Sequence, residues 1–392
     1  VLFHEMVERI QETDTTVPYP HHGWLYFSRT EQGKEHPIFC RKRPDGSDET
    51  VLIDLNAARG EGAFIGLGTL TLTRDGNLMA YTLDRTGAGD WVLHVEDLRT
   101  RKALPDTAGK VRSVRWAADG RTLFYVTEDA AKRPYRLWRH PLGGKPALVA
   151  EEKDERFDVS ISLSSDETRL ILDFSSATTN EARALDATKP LSRFRTVLPR
   201  QAGREGGIDH ANGAFYVWVN DTGRNFRFVR VDAPKWVELI PHRDEVMLDE
   251  VLLFKDFYVA FERTNALPQV RVFDWATHTP TTMRFDEPVF SVWAETNLEF
   301  EATSFRYGYS SMVTPTSIYE RDAKGGEATL LKREPVLGGY DPEKYTQERL
   351  WVEAPDGVKV PVSLAYAKGR AKDGKGALLL DVYGAYGTSN DV

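Results

Sequence analysis

The stretch Arg74–Tyr81 reads RDGNLMAY, a tight-turn sequence that runs directly into an apolar strand. The same arrangement returns at Ala118–Tyr125, ADGRTLFY, and in a weaker form at Ser165–Leu172, SDETRLIL. Asp-Gly is a favoured turn dipeptide, and a run of apolar and aromatic residues after it is typical of a β-strand. The recurrence of this unit predicts an all-β fold made of copies of one small sheet.

Similar strand cores recur along the chain at intervals of about 42 to 54 residues, the length of one four-stranded propeller blade. The cores are Trp24–Phe27, Leu78–Tyr81, Thr122–Tyr125, Leu170–Leu172, Ala214–Val217, Phe257–Val259 and Ser304–Tyr307. Seven such units predict a seven-bladed β-propeller, which we place at residues 19–338. A large β-sandwich is the alternative fold, but sandwiches rarely sustain so long a repeat.

The two flanks of the repeat have different patterns. Leu2, Met6 and Ile10 share one helical face, which predicts a helical segment within residues 1–18. Residues 339–392 predict a hairpin, 349–353 and 358–367, followed by the apolar run 377–382, ALLLDV, which we expect to be a strand buried on both faces of a parallel sheet. Because such a sheet needs crossover helices, we expect the chain to be the front part of a larger protein.

Composition narrows the classes of function. The 392 residues include 41% hydrophobic and 28% charged residues, with a formal net charge of −8. This charge argues against nucleic acid as the main partner, and no apolar stretch approaches the roughly 20 residues that span a bilayer, so no membrane partner is expected. Cys40 is the only cysteine, which excludes an internal disulfide and fits a cytoplasmic location. The scattered histidines show no metal-ligand spacing, so we expect neither a metal nor a cofactor.

Three further stretches carry a specific resemblance. They are FRYGYSSMVTP at 305–315, GGYDP at 338–342 and YGAYG at 383–387. These stretches closely resemble the prolyl oligopeptidase family, and within it oligopeptidase B. The resemblance implies a mainly β chain: a seven-bladed β-propeller followed by the first, incomplete strands of an α/β-hydrolase catalytic domain.

The resemblance also implies an activity. It implies a serine-type endopeptidase that cleaves short basic peptides after Arg or Lys, with the propeller restricting access to small substrates. A Ser-His-Asp triad would perform the chemistry. No triad residue is assigned in this chain, because no Gly-x-Ser-x-Gly elbow occurs in the 392 residues and the triad order in this fold is Ser, Asp, His. The fragment alone is therefore expected to be inactive, and its oligomeric state stays open.

Three residues match the family's functional positions. The resemblance implies that Tyr383 helps to form the oxyanion hole, because a phenol donates a short hydrogen bond to developing negative charge. It implies that Tyr386 lines the pocket for the residue before the scissile bond, and that Asp391 binds a basic substrate residue one step further away. Asp381-Val382 departs from the family pattern, in which Tyr-Gly is usual.

Other interpretations stay open for the same residues. Without the family, Tyr383 and Tyr386 are turn or core aromatics and Asp391 is a solvated loop carboxylate. The chain as a whole could be a non-catalytic propeller that binds peptides or proteins. A propeller enzyme that uses a metal in its central channel is a third hypothesis, and the lack of clustered ligands in the sequence counts against it.

Overall fold

The computed structural model describes residues 2–60, 64–385 and 391–392. Within these residues, 32 strands form seven sheets of four or five strands and one two-stranded hairpin. Helix α1 (Leu2–Glu8) precedes the sheets, and helix α2 (Leu55–Arg59) follows the first of them. The predicted seven-bladed β-propeller is confirmed.

The first four sheets follow one another along the chain. The first contains β1 (Asp14–Thr15), β2 (Tyr19–His21), β3 (Trp24–Thr30), β4 (Ile38–Lys42) and β5 (Thr50–Asp54). The second contains β6 (Gly66–Leu72), β7 (Leu78–Asp84), β8 (Val92–Asp97), β9 (Lys102–Ala103) and β10 (Ala108–Gly109). The third contains β11 (Val111–Trp116), β12 (Thr122–Glu128), β13 (Pro134–Pro141) and β14 (Ala147–Glu151). The fourth contains β15 (Asp158–Leu163), β16 (Arg169–Ser175), β17 (Asn180–Asp186) and β18 (Arg195–Leu198).

The remaining elements continue in chain order. The fifth sheet contains β19 (Gly206–Ala211), β20 (Ala214–Val219), β21 (Arg227–Asp232) and β22 (Lys235–Ile240). The sixth contains β23 (Val246–Leu253), β24 (Phe257–Thr264), β25 (Leu267–Asp274) and β26 (Pro280–Thr282). The seventh contains β27 (Ser291–Ala294), β28 (Ser304–Ser310), β29 (Ser317–Asp322) and β30 (Thr329–Arg333). A 3₁₀ turn (Pro342–Lys344) then leads into the hairpin of β31 (Tyr345–Glu353) and β32 (Lys359–Ala367).

Each sheet is an antiparallel meander whose turns are set by local sequence. In the third sheet the strand order is β11-β12-β13-β14, the order of the chain. The turns before β7 and β12 place Gly76 and Gly120 at φ 69° and 61°. Glycine takes this left-handed conformation without the steric cost that a Cβ imposes. The Asp-Gly turns therefore start the second long strand of the second and third blades as the sequence predicts.

Apolar clusters join each sheet to the next. One cluster, which includes Phe124, Phe174 and Leu170, unites the third and fourth sheets. Another unites the sixth and seventh sheets and contains Tyr307 and Tyr309. Burial raises the pKa of Tyr307 to about 12, which fits a packing role. The core of the molecule is thus a set of inter-blade layers.

Polar contacts close the ring between the seventh and first sheets. Arg306 Nη1 donates to the carbonyl oxygen of Pro18 at 2.6 Å, and Lys332 Nζ lies 2.5 Å from Asp14 Oδ2. Both cations belong to the seventh sheet; Asp14 begins β1 of the first sheet, and Pro18 lies between its strands β1 and β2. Charge-assisted bonds of this kind are stronger than neutral ones, so they hold the two ends of the propeller together.

The helical segment expected at the N-terminal side forms as helix α1, and Leu2, Met6 and Ile10 are each at least 60% exposed. The strand expected at the other end of the chain needs correction. The run 377–382 is not a strand, and Leu378, Leu379 and Leu380 are 69% to 93% exposed. A strand of a parallel sheet is buried only when neighbouring strands and helices cover it. Within the described residues no element covers this run, so its apolar sequence alone does not produce a strand.

Candidate functional site

A central channel is the largest feature that all seven sheets share. It encloses a cavity of about 550 Å³. Each sheet, or the loop beside it, contributes to the wall, for example through Tyr26, Leu70, Trp116, Leu163, Ile208, Leu252 and Leu298. Since these residues come from positions spread over the whole chain, the channel exists only because the ring closes.

Carboxylates give the channel an acidic character. Asp209, Asp249 and Glu250 line it, and burial raises the pKa of each of the three. Arg115 lies in the same wall, and burial lowers the pKa of its guanidinium. Four carboxylates and two arginines line the channel, so its acidic side chains outnumber its basic ones.

The two ends of the channel differ. In an antiparallel meander, the turn between the first and second strands lies at the opposite end from the turn between the second and third. Arg349 of β31 donates to the carbonyl oxygen of Ala266 in the β24–β25 turn at 2.9 Å, and Gln347 Oε1 accepts from the backbone N–H of Met312 at 3.2 Å. The hairpin therefore lies at the end of the channel where the second strand of a sheet turns into the third, and we call this the hairpin end. The opposite end, where the first strand turns into the second, is the distal end.

Asp391 is held at the hairpin end by an arginine of the sixth sheet. Its two carboxylate oxygens lie 2.7 Å from Nη1 and Nη2 of Arg263, a two-point guanidinium–carboxylate pair. Asp249 of the channel wall lies 3.7 Å from Nε of the same arginine. Two carboxylates, one from the channel and one from the C-terminal segment, thus share a single guanidinium.

The two predicted tyrosines have different outcomes. Tyr383 lies in an irregular segment, with 54% of its surface exposed, and its hydroxyl has no hydrogen bond within the described ranges. Tyr386 lies outside the described residues. The structure thus joins Asp391 to the sixth sheet through Arg263, and the roles of Tyr383, Tyr386 and Asp391 all stay predictions.

A second cluster, at the distal end, was missed by the sequence analysis. His21 Nε2 lies 2.7 Å from Glu167 Oε1, and His22 Nε2 lies 2.8 Å from Glu167 Oε2. Burial raises the pKa of Glu167, but hydrogen bonds and charge from the two imidazoles outweigh it and lower the pKa to about 2. The adjacent histidines were the available signal, but their partner lies 146 positions away.

Comparisons with known proteins agree with this architecture. The family model described as "Prolyl oligopeptidase, N-terminal beta-propeller domain" matches residues 1–334. The chain is 34% identical to dipeptidyl aminopeptidase BI of Pseudoxanthomonas mexicana, over 100% of this chain and 57% of the relative. It is 30% identical to Protease 2 of Moraxella lacunata, over 100% of this chain and 58% of the relative. The chain thus spans less than two thirds of these relatives.

Solved structures show the same likeness. Oligopeptidase B from Leishmania major superposes with a TM-score of 0.88 at 25% identity, covering 94% of this chain and 55% of that one. Oligopeptidase B from Trypanosoma brucei, with covalently bound antipain, gives a TM-score of 0.86 at 28% identity, covering 95% of this chain and 55% of that one. Among the described residues, no helix has the length and apolarity needed to cross a bilayer.

Proposed function

Because the chain belongs to the prolyl oligopeptidase family, we propose that it is the propeller and first catalytic-domain strands of a serine peptidase that cleaves short peptides after Arg or Lys. The family membership supports the peptidase class. The preference for Arg or Lys before the cut rests on the resemblance to oligopeptidase B. One observation, the pairing of Asp391 with a guanidinium group, supports a site for a basic residue one step further from the cut.

The Asp391–Arg263 pair illustrates how a substrate would bind. A substrate arginine presents the same planar fork as Arg263, so it could replace Arg263 at the carboxylate of Asp391. Asp249, 3.7 Å from Arg263, would add a second negative charge beside the incoming side chain. We therefore propose that Arg263 holds this carboxylate in position in the free protein and yields it to a basic peptide.

The propeller would select the substrates. A cavity of about 550 Å³ lined by carboxylates admits short cationic peptides and disfavours folded or acidic ones.

We propose domain limits of 1–18 for the N-terminal segment, 19–338 for the propeller and 339–392 for the start of the catalytic domain. In the full-length protein the exposed run 377–382 would be covered as a sheet strand, and Tyr383 and Tyr386 would act as oxyanion donor and pocket residue. The proposed location is the cytoplasm.

Two other functions are distinguishable from this one. The relative from Pseudoxanthomonas is named a dipeptidyl aminopeptidase, so release of dipeptides from the amino terminus is a second candidate. A non-catalytic propeller that binds peptides is the third. The two peptidase candidates differ in the products that they form, and the third candidate forms no product.

The test is to incubate the full-length protein with a peptide that carries an internal Arg-Arg pair and to identify the products by mass spectrometry. Cleavage after arginine within the peptide supports the proposal. Stepwise loss of amino-terminal dipeptides favours the second candidate, and an unchanged peptide that nevertheless binds favours the third.

Matched variants then test the role of Asp391. Asp391→Asn should weaken kcat/KM for an Arg-Arg substrate by about 10- to 100-fold, the worth of a charge-assisted hydrogen bond. A substrate with a single arginine should change much less. Arg263→Gln removes the competing guanidinium, so it should lower KM for the Arg-Arg substrate. If both variants lose activity equally on both substrates, the ion pair is structural and the substrate role is wrong.

A further inference from the structure

The cluster of His21, His22 and Glu167 joins opposite sides of the propeller at the distal end of the channel. His21 ends β2, and His22 lies in the turn that leads to β3, both in the first sheet. Glu167 lies in the turn between β15 and β16 of the fourth sheet. In a ring of seven blades, the first and fourth are as far apart as two blades can be. All three residues line the channel.

We propose that these three residues form a binding site for a divalent transition-metal ion of the zinc type, which ties the first blade to the fourth across the distal end of the channel. The proposal does not depend on the peptidase function. Two imidazole nitrogens and one carboxylate oxygen are a ligand set that zinc takes at sites with an open fourth position. Here the open position would face the channel.

The distances suit such an ion. One ligand atom from each residue lies within 4.8 Å of the other two. Ligand atoms around a tetrahedral zinc lie about 3.3 Å apart, given zinc–ligand distances of about 2.0 to 2.2 Å. The present separations of 2.7 and 2.8 Å between nitrogen and oxygen would therefore open by only about half an ångström, within the reach of side-chain rotation.

The backbone supports the site at an energetic cost. Glu167 has φ 54° and His22 has φ 49°, so two of the three residues adopt the left-handed conformation that L side chains disfavour. In the equivalent turns of the second and third sheets this place belongs to Gly76 and Gly120. Strain of this kind persists where the surroundings impose it, and it concentrates at functional sites.

Neighbouring contacts hold the ligands in place. The backbone N–H of His22 donates to Glu299 of the seventh sheet, and the backbone N–H of Glu167 donates to the Ser164 carbonyl oxygen at 2.8 Å. The two imidazole rings stack with centroids 4.0 Å apart.

The first experiment is isothermal titration of the protein with zinc chloride. We expect one ion to bind per chain, and Co²⁺ in its place should give the intense visible absorption of a tetrahedral site. The double variant His21→Gln, His22→Gln should weaken binding by about 100-fold or more, because it removes two of three ligands. His36→Gln changes a half-buried histidine in the loop between β3 and β4; it is the matched control and should bind as the wild type does.

A second variant separates loss of the site from loss of the fold. Glu167→Gly removes a ligand and installs the residue that this turn has in the second and third sheets, so the protein should fold while losing the zinc-dependent rise in melting temperature. The proposal is overturned if the wild-type chain binds no stoichiometric zinc. It is equally overturned if Glu167→Gly binds zinc as tightly as the wild type, or if His36→Gln loses as much affinity as the double variant.

Discussion

Substitution of Glu262 by glutamine should destabilise the sixth blade more than a change at any surface carboxylate. Glu262 lies in β24 with its side chain 0% exposed, and it pairs with Arg243 and Arg271. Arg271 Nε donates to Glu262 Oε2 at 2.7 Å. Glutamine keeps the shape but removes the charge that two guanidinium groups share. The glutamine N–H₂ would also face a guanidinium N–H, so two hydrogen-bond donors would meet without an acceptor.

The size of the effect follows from burial. Breaking a buried ion pair by removing one partner costs about 3 to 5 kcal/mol, because the remaining charge stays uncompensated. The side chains of Arg243 and Arg271 are 31% and 14% exposed, so water partly solvates the freed guanidinium groups. We therefore expect the lower end of the range, about 3 kcal/mol. If the whole chain unfolds as one unit, this corresponds to a melting temperature lower by about 4 °C.

The assay is thermal unfolding by circular dichroism, combined with hydrogen exchange of the β24 amides. The control is Glu238→Gln, which removes the partly exposed partner of Arg227, 3.2 Å away, and should cost less than about 1 kcal/mol. A triple variant with Leu at 262 and Met at 243 and 271 should recover much of the loss, because apolar side chains of similar volume often replace buried ions without cost. Equal melting temperatures for Glu262→Gln and Glu238→Gln would refute the reasoning.

Three further predictions concern other parts of the chain. Gly308→Ala would place a Cβ 2.1 Å from the indole of Trp293, so it should destabilise the protein by at least about 1 to 3 kcal/mol; an unchanged melting temperature would contradict this packing. Burial raises the pKa of the half-buried Asp173 from 3.8 to about 7, so wild-type stability falls as the pH rises through that window. Asp173→Asn should therefore be more stable by about 1 to 3 kcal/mol at pH 8 and equal at pH 4, and urea unfolding that shows the same difference at both pH values would rule this out. In the full-length protein, Tyr383→Phe should lower kcat by about ten- to a thousandfold with little change in KM, and an unaltered kcat would remove the oxyanion role.

The closure of the propeller shows where sequence reasoning ends. Each blade is a meander of neighbouring strands, so its turns and strands follow from sequence patterns a few residues long. The contacts between Arg306 and Pro18 and between Lys332 and Asp14 join the two ends of this series. Nothing in the local pattern indicates which polar groups meet there, because their separation along the chain is about as long as the propeller itself.

By itself, the sequence determined the seven-fold repeat, the hairpin and the residues that resemble the peptidase family, since all of these are local patterns. Only the tertiary structure decided that Asp391 meets Arg263 and that His21 and His22 meet Glu167. Only the structure, too, left the apolar run 377–382 exposed. The physical reason is the same in each case. Hydrophobicity and turn preference belong to a residue and its neighbours, whereas burial and ion pairing depend on what the closed ring brings to that residue from elsewhere in the chain.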